Sequence, residues 1–359
     1  MKALIHGYFG MGNVGDDAIL AVLIDVLRNE YGKVDIVVLS ANPERTKRLH
    51  GVEAIRERLT SLGFWRRFFE ANALVFAGGG RYGDSTLRRM SLLAILAKLL
   101  RKAVIFRGVG IYPYEWFGKP IVKNRPEPFR SLLTRILLTI AFKLADYISV
   151  RDEYSFKVLR LTGIYRNITI EKDLVFRLKI SDEYSCKEIC SKIKLPSTFS
   201  SRPIIGINLR TLSNEINSKI VNVVSKVLDD ILKEDRSLSV FFVPFGYGSI
   251  SGRFFDNDII IGEALRRRMR FRDRVYVLKE EVSPTQLMHL FKLFKVFIGM
   301  RFHSIIFSIM TRVPTIAIVY DTKTLELLKR EKSGCCRFSF TIDELSMDRL
   351  KEAVMDLMK

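Results

Sequence analysis

The chain has 359 residues, 48% of them hydrophobic and 27% charged; this is a globular composition with material for a sizeable core, and it excludes a disordered chain. Its 59 basic residues exceed its 39 acidic ones by 20, a surplus that implies anionic company: nucleic acid, a membrane surface or acidic small molecules. The four cysteines show no CxxC and no Cys/His ligand spacing, which argues against zinc and fits a reducing, cytoplasmic compartment.

The chain opens on MKALIHGYFG, a strand over Ala3–Gly7 too brief for the apolar region of a signal peptide. Asp16–Asn29 is predicted as an amphipathic helix, Val34–Ser40 as a strand, Asn42–His50 as a helix and Ala73–Ala77 as a strand. Helix 85–100, strand 103–107, helix 129–145 and strand 147–150 follow. The apolar stretches Ser91–Leu100 and Ser131–Ser149 are broken by Lys98, Arg135, Lys143 and Asp146, so neither reaches the roughly 20 uncharged residues of a membrane span. Residues 177–203 are polar, surround Pro196 and read as a connection. A second alternation then begins: strand Ile204–Asn208, helix Asn217–Lys233, strand Ser239–Val243, helix Ile259–Arg270, strand 275–278, helix 284–292, strand 296–298, helix 302–311 and strand 314–318. Helix 342–358 closes the chain.

Short continuous apolar strands between helices predict parallel sheets covered on both faces. The expected fold class is therefore α/β, with two Rossmann-like domains facing a cleft. An N-terminal domain spans 1–176, a connection 177–203 and a C-terminal domain 204–359. Ligands in such folds lie beyond the carboxyl ends of the strands, so the loops there carry the candidates.

The first loop, Gly7 to Asp17, contains a GxGxxG pattern. A dinucleotide site needs an acidic residue ending the second strand, and here that strand ends Ser40-Ala41-Asn42. The loop is either a tight turn with Asp16 as helix cap or a face, with Asn13 and Asp16, for a sugar acceptor. In Gly78-Gly79-Gly80-Arg81-Tyr82-Gly83-Asp84, three glycines after a strand bring backbone close to a ligand, making Gly79, Gly80 and Asp84 candidates. Arg107 in Arg107-Gly108-Val109-Gly110 either reaches a ligand or is solvated. Arg151 and Asp152 read as structural, with Asp152 capping the next helix.

In the second half, one strand ends Asn208-Leu209-Arg210 and another Gly299-Met300-Arg301-Phe302-His303. Arg301 and His303 enter a helix N-terminus, which favours anions; Arg adds a fork for phosphate or carboxylate, and His exchanges a proton near neutral pH. Lys323 in Tyr320-Asp321-Thr322-Lys323 is a further phosphate contact or an exposed turn lysine.

Taken together, GYFGMGNVGDDAIL, FAGGGRYGDST, RGVGIYP, ISVRDEYS and GMRFHSIIFSIMTRVPTIAIVYDTKT resemble the polysaccharide pyruvyl transferase family over nearly the whole chain. The last stretch is the family's most specific, usually close to GMRLHxxIFAxxxxxPxxxIxYDxK. Phe302 replaces a common Leu, RGVGIYP replaces GQGIGP, and Lys172-Asp173-Leu174 stands where Asp-Pro is frequent. The resemblance implies a GT-B-like fold and transfer of a pyruvyl group from phosphoenolpyruvate to a sugar of a cell-surface polysaccharide or its lipid-linked precursor. It implies Arg210, Arg301 and His303 at the donor, with no cofactor and no metal.

In that reading His303 is the general acid or the phosphate's proton partner, and Asp16 or Asp84 the base for the attacking hydroxyl. The charge surplus attracts the donor and holds the enzyme peripherally at the inner face of a membrane. Leu62–Phe69 reads either as an interfacial patch or as a core-facing helix with a charged outer face. The alternative function is a GT-B glycosyltransferase using a nucleotide sugar. Nucleic acid is not expected as a partner: no recognised module accompanies the charge, and Arg266-Arg267-Arg268 reads as a solvated helix face.

Overall fold

In the computed structural model, residues 1–82, 84–113, 126, 129, 131–180, 185–195, 199, 202–248, 257–331 and 334–359 are described. They fall into two compact units: Met1–Gly12 with the described residues of 16–178, and Asn13–Gly15 with those of 179–359. The expected connection over 177–203 lies partly outside the described residues, Pro196 included; within it a short helix, Cys186–Lys192, is opened by a capping box between Ser185 and Glu188.

In the first unit the order is β1 (Lys2–His6), α1 (Val14–Tyr31), β2 (Asp35–Leu39), α2 (Pro43–His50), β3 (Glu53–Ile55), α3 (Leu62–Glu70), β4 (Ala73–Ala77), β5 (Gly80–Tyr82), α4 (Asp84–Leu99), β6 (Ala103–Tyr112), α5 (Leu132–Leu144), β7 (Tyr147–Val150), α6 (Glu153–Leu161) and β8 (Thr169–Ile170). The sheet runs β3-β2-β1-β4-β6-β7-β8, with β5 pairing on β6, and its ladders are parallel. The strand order reverses between β1 and β4, the position where doubly wound sheets bind ligands. The core is organised around stacked rings: Phe76 on Phe106 at 4.9 Å and Phe106 on Phe142 at 4.1 Å between centroids. Each such ring contributes about 1.5–3 kcal/mol by leaving water.

Strand β6 is twice as long as its sequence predicts. A bulge lies between Phe106 and Val109, where Gly108 takes a φ of +59° and donates its N–H to Ser149 Oγ. Beyond it, Gly110–Tyr112 pair with Gly80–Tyr82. RGVGIYP is thus mostly strand rather than loop.

The aromatics of Leu62–Phe69 divide. Phe64 and Phe68 are buried, whereas Leu62 and Phe69 are exposed. Arg66 and Arg67 pair with Glu70, and Arg67 also with Glu53.

In the second unit, β9 (Ile204–Asn208), β10 (Ser239–Phe242), β11 (Val275–Val277), β12 (Phe294–Gly299), β13 (Thr315–Val319) and β14 (Phe338–Thr341) form one sheet in the order β11-β10-β9-β12-β13-β14. This is the Rossmann order, with its reversal between β9 and β12. Alternate strand residues such as Ile205, Ile207, Val240 and Ile298 pack on helix Asn214–Glu234 through Val224, Leu228 and Ile231. The closing helix starts at Met347, capped by Ser346, because Thr341 and Glu344 first make a turn. Among the described residues no helix is long and apolar enough to cross a membrane.

Candidate active site

In the second unit, pairing of Asn208 with Gly299, and of Gly299 with Ala317, sets the carboxyl ends of β9, β12 and β13 side by side. Arg210 follows the first of these strands, Arg301 and His303 the second, and Lys323 the third. The sheet order therefore brings together three segments that are separate in sequence, carrying these four side chains.

Arg301 is the N-cap of helix Phe302–Met310 and makes no side-chain cap hydrogen bond. Its N–H donates to Asn208 Oδ1 at 2.9 Å, and Asn208 is held by donating Nδ2 to Val243 O at 2.8 Å. The guanidinium is oriented by Asp258: Nε donates to Oδ2 at 3.0 Å and Nη2 to Oδ1 at 2.6 Å. Asp258 is fully buried and also accepts the backbone N–H groups of Phe245 and Gly246, each at 3.0 Å. This carboxylate ties the loop after β10 to the arginine after β12.

Arg210 is buried and donates Nη1 to the Tyr320 hydroxyl at 2.6 Å, with its guanidinium 5.1 Å from that ring. Burial pushes the Tyr320 phenol up, so it stays neutral and accepts this bond. Asp321 caps the helix Thr322–Arg330, its Oδ1 accepting from Thr324 N at 3.0 Å and Thr324 Oγ1 at 2.6 Å. Lys323 Nζ stands 3.2 Å from Asp321 Oδ2. Burial, the largest influence on Asp321, would raise its pKa, but Lys323, the two Thr324 bonds and Arg210 outweigh it and hold the carboxyl below its ordinary value.

His303 is buried, edge-on to Phe302 at 5.0 Å, and lies against the backbone of Gly15. A Cβ on Gly15 would sit 1.8 Å from His303 Nδ1. Residues Asn13–Gly15 belong to this unit: Asn13 bridges to Gly246, Val14 N–H donates to Phe245 O at 3.0 Å, and Asn13 Oδ1 accepts from Gly15 N. Arg210, Arg301 and Lys323 thus stand with Asp258 and Asp321 at these strand ends, and His303 lies in the first turn of the helix after β12; helix N-termini and forked cations are arrangements that bind anions.

The first unit holds the remaining candidates. Gly79 lies beside Asp16, with an added Cβ 3.2 Å from Asp16 Oδ1, so these two meet at the β1/β4 reversal. Gly78 and Gly79 adopt positive φ and turn the chain from β4 into β5. The N–H of Gly78 is committed to Arg107 O, and Gly80 lies in β5; these glycines build a strand-to-strand turn. Asp84 opens α4, and its Oδ1 is buried without a hydrogen-bond partner among the described residues. Gly83 lies outside the described residues.

Arg107 differs from its expected place at a strand end. It sits inside β6, and its guanidinium turns to Glu30 near the end of α1, at 2.6 and 2.7 Å, and to the ring of Tyr147. Asp17 is also structural: Arg45 grips it with both Nη atoms and His50 stands 3.8 Å away. Arg151 donates to Asp173 at 3.1 Å, and Asp152 caps α6 by accepting from Ser155 N.

Sequence reasoning missed Asp258 entirely. Its signal was slight: Asn257-Asp258 ahead of Ile259-Ile260-Ile261 is a helix start, with Asn257 as N-cap, but no local pattern tells which arginine that carboxylate will meet 43 residues later. Among the described residues no group of three or more His, Cys, Asp or Glu side chains is placed to hold a metal ion.

Several solved structures share the fold. A UDP-GlcNAc 2-epimerase from Methanocaldococcus jannaschii superposes with a TM-score of 0.61 at 12% identity, covering 100% of this chain and 93% of that one. The E. coli ADP-heptose LPS heptosyltransferase II gives 0.53 at 14% identity, covering 100% and 98%. A UDP-GlcNAc 2-epimerase from Neisseria meningitidis gives 0.51 at 10% identity, covering 99% of each chain. At such identities the likeness establishes the GT-B fold alone. Comparison with curated proteins gives no match. The family model described as polysaccharide pyruvyl transferase matches residues 13–322, a span that includes Asn13, Arg210, Asp258, Arg301 and His303, and the chain belongs to that family.

Proposed function

We propose that the protein transfers a pyruvyl group from phosphoenolpyruvate to two hydroxyls of one sugar, in a cell-surface polysaccharide or its lipid-linked precursor, on the cytoplasmic side of the membrane. The observation that carries this reading is the cluster of Arg210, Arg301, His303 and Lys323 at the β9/β12 reversal. Phosphoenolpyruvate places a carboxylate and a phosphate on one carbon, and forked cations at a helix N-terminus match that crowding.

In this reading the His303 imidazolium gives a proton to the methylene carbon, which becomes a methyl group. A sugar hydroxyl adds to the adjacent carbon and loses its proton to a base, for which Asp16 or Asp84 is the candidate. The bond from that carbon to the phosphate oxygen breaks, and phosphate leaves with the electron pair. A second hydroxyl closes the ketal. The two hydroxyl protons end on the methyl group and the phosphate, so the reaction balances without redox change. Arg210, Arg301 and Lys323 stabilise the charge that gathers on the departing phosphate.

The test is phosphate release from phosphoenolpyruvate in the presence and absence of saccharide fractions. Release that requires the saccharide, matched by a ketal in the product, is the expected result. Transfer from a UDP- or GDP-sugar, with phosphoenolpyruvate untouched, would replace this reading with the glycosyltransferase alternative.

A further inference from the structure

Helices α4 and α5 of the first unit connect neighbouring parallel strands and pack side by side on one face of the sheet. Lys98 Nζ, 2.9 Å from Asp146 Oδ1, ties their ends together. Their inner sides join a single core, through Leu87, Met90 and Ala94 on α4 and Leu138 and Phe142 on α5. A helix on the surface of a globular protein ordinarily turns a polar side outward. These two do not.

On α5, Leu133, Ile136, Ile140 and Leu144 recur at steps of three, four and four, so they share one side of the helix. They are 52, 47, 40 and 40% exposed. On α4, Leu92 and Leu99 stand two turns apart and are 54 and 74% exposed. Scattered exposed leucines need no explanation, but a double row on adjacent helices marks an interaction surface.

The charge around the rows identifies the partner. Arg89 on α4, Arg101 beyond it and Lys143 on α5 are the exposed basic residues here. The nearby carboxylates are engaged: Asp146 with Lys98, and Glu57 with Arg89. Two copies meeting across a two-fold axis would bring these basic residues against their own copies. An anionic bilayer instead offers an apolar interior beneath a negative surface, which also suits the overall charge of +20.

We propose that the outward face of α4 and α5 docks on a membrane containing anionic lipid. The helices lie in the plane of the headgroups, their leucines and isoleucines reaching the acyl boundary while Arg101 and Lys143 extend to phosphates. The inference does not depend on which group the enzyme transfers. It places the protein where a lipid-linked saccharide is presented.

The test is vesicle flotation of the full chain with phosphatidylcholine alone and with phosphatidylcholine mixed with phosphatidylglycerol. Sedimentation without lipid is measured in parallel. The variants are Ile136→Ser with Ile140→Ser, and Arg101→Glu with Lys143→Glu. All four positions are exposed, so unchanged melting temperatures check that the fold is kept. The expected result is flotation with the mixed vesicles only, weakened about tenfold or more by the serine pair and abolished by the glutamate pair or by high salt. Absence of flotation, flotation indifferent to the serine pair, or self-association lost in that variant would each overturn the proposal; the last would assign the face to a second copy of the chain.

Discussion

Arg301 and Asp258 form a buried pair, with guanidinium Nη2 2.6 Å from carboxylate Oδ1, and the same carboxylate holds the N–H groups of Phe245 and Gly246. Asp258→Ala therefore strands a buried cation and two backbone donors. The expected loss is about 3–5 kcal/mol of stability, read by urea denaturation. Phosphate or phosphoenolpyruvate should stabilise this variant more than the wild type, because an anion replaces the missing carboxylate. For the same reason, loss of binding in Arg301→Ala would confound donor contact with an uncompensated Asp258.

Gly15→Ala should damage the site through His303. The added methyl would fall 1.8 Å from Nδ1, so either the ring or the Asn13–Gly15 segment must move. Overpacking of this kind costs about 1–3 kcal/mol, and turnover should fall together with the melting temperature. Gly63→Ala is the matching control: its new Cβ meets only Ser61 Oγ, at 3.5 Å, and both readouts should stay near wild type.

His303→Gln should lower kcat by about 100-fold to 10,000-fold, the range for loss of a general acid. The affinity for phosphoenolpyruvate should change much less, since the arginines and Lys323 remain. Equilibrium binding beside steady-state kinetics separates the two effects, and full turnover in the variant would remove His303 from the chemistry.

Acid should destabilise the protein through Asp17 and Asp321. Burial would raise both pKa values, but His50 and Arg45 around Asp17, and Lys323, Thr324 and Arg210 around Asp321, hold both below the ordinary 3.8. A carboxyl depressed on folding contributes stability that is complete above its unfolded pKa. That contribution is lost as the pH falls below 3.8 through the depressed folded values. Asp17→Asn should be less stable at neutral pH and lose less stability on acidification, as measured by denaturation at stepped pH.

Much of this arrangement was legible in the sequence because strands, caps and glycine turns are local. The strand before Arg301 and the helix after it follow from apolar runs, and Asp152 caps a helix where spacing suggests; the helix Thr322–Arg330 that Asp321 caps was not expected from the sequence. What was not legible depends on register and sheet order. The bulge at Gly108 turns a supposed loop into strand, and only that pairing shows Arg107 facing Glu30. The aromatics of Leu62–Phe69 were ambiguous until burial separated Phe64 and Phe68 from Leu62 and Phe69. Asp258 was invisible because its partner lies on another strand end, reached only through the β10-β9-β12 order.

The most direct test of the central claim is thermal stabilisation by phosphoenolpyruvate, with UDP- and GDP-sugars alongside, for wild type and Lys323→Met, each compared with its own ligand-free baseline. A ligand that binds only the folded state contributes about 2.7 kcal/mol at a hundredfold excess over Kd. The expected result is stabilisation of the wild type by phosphoenolpyruvate alone, reduced in the variant. Stabilisation by a nucleotide sugar, with none by phosphoenolpyruvate, would contradict the assignment of the donor.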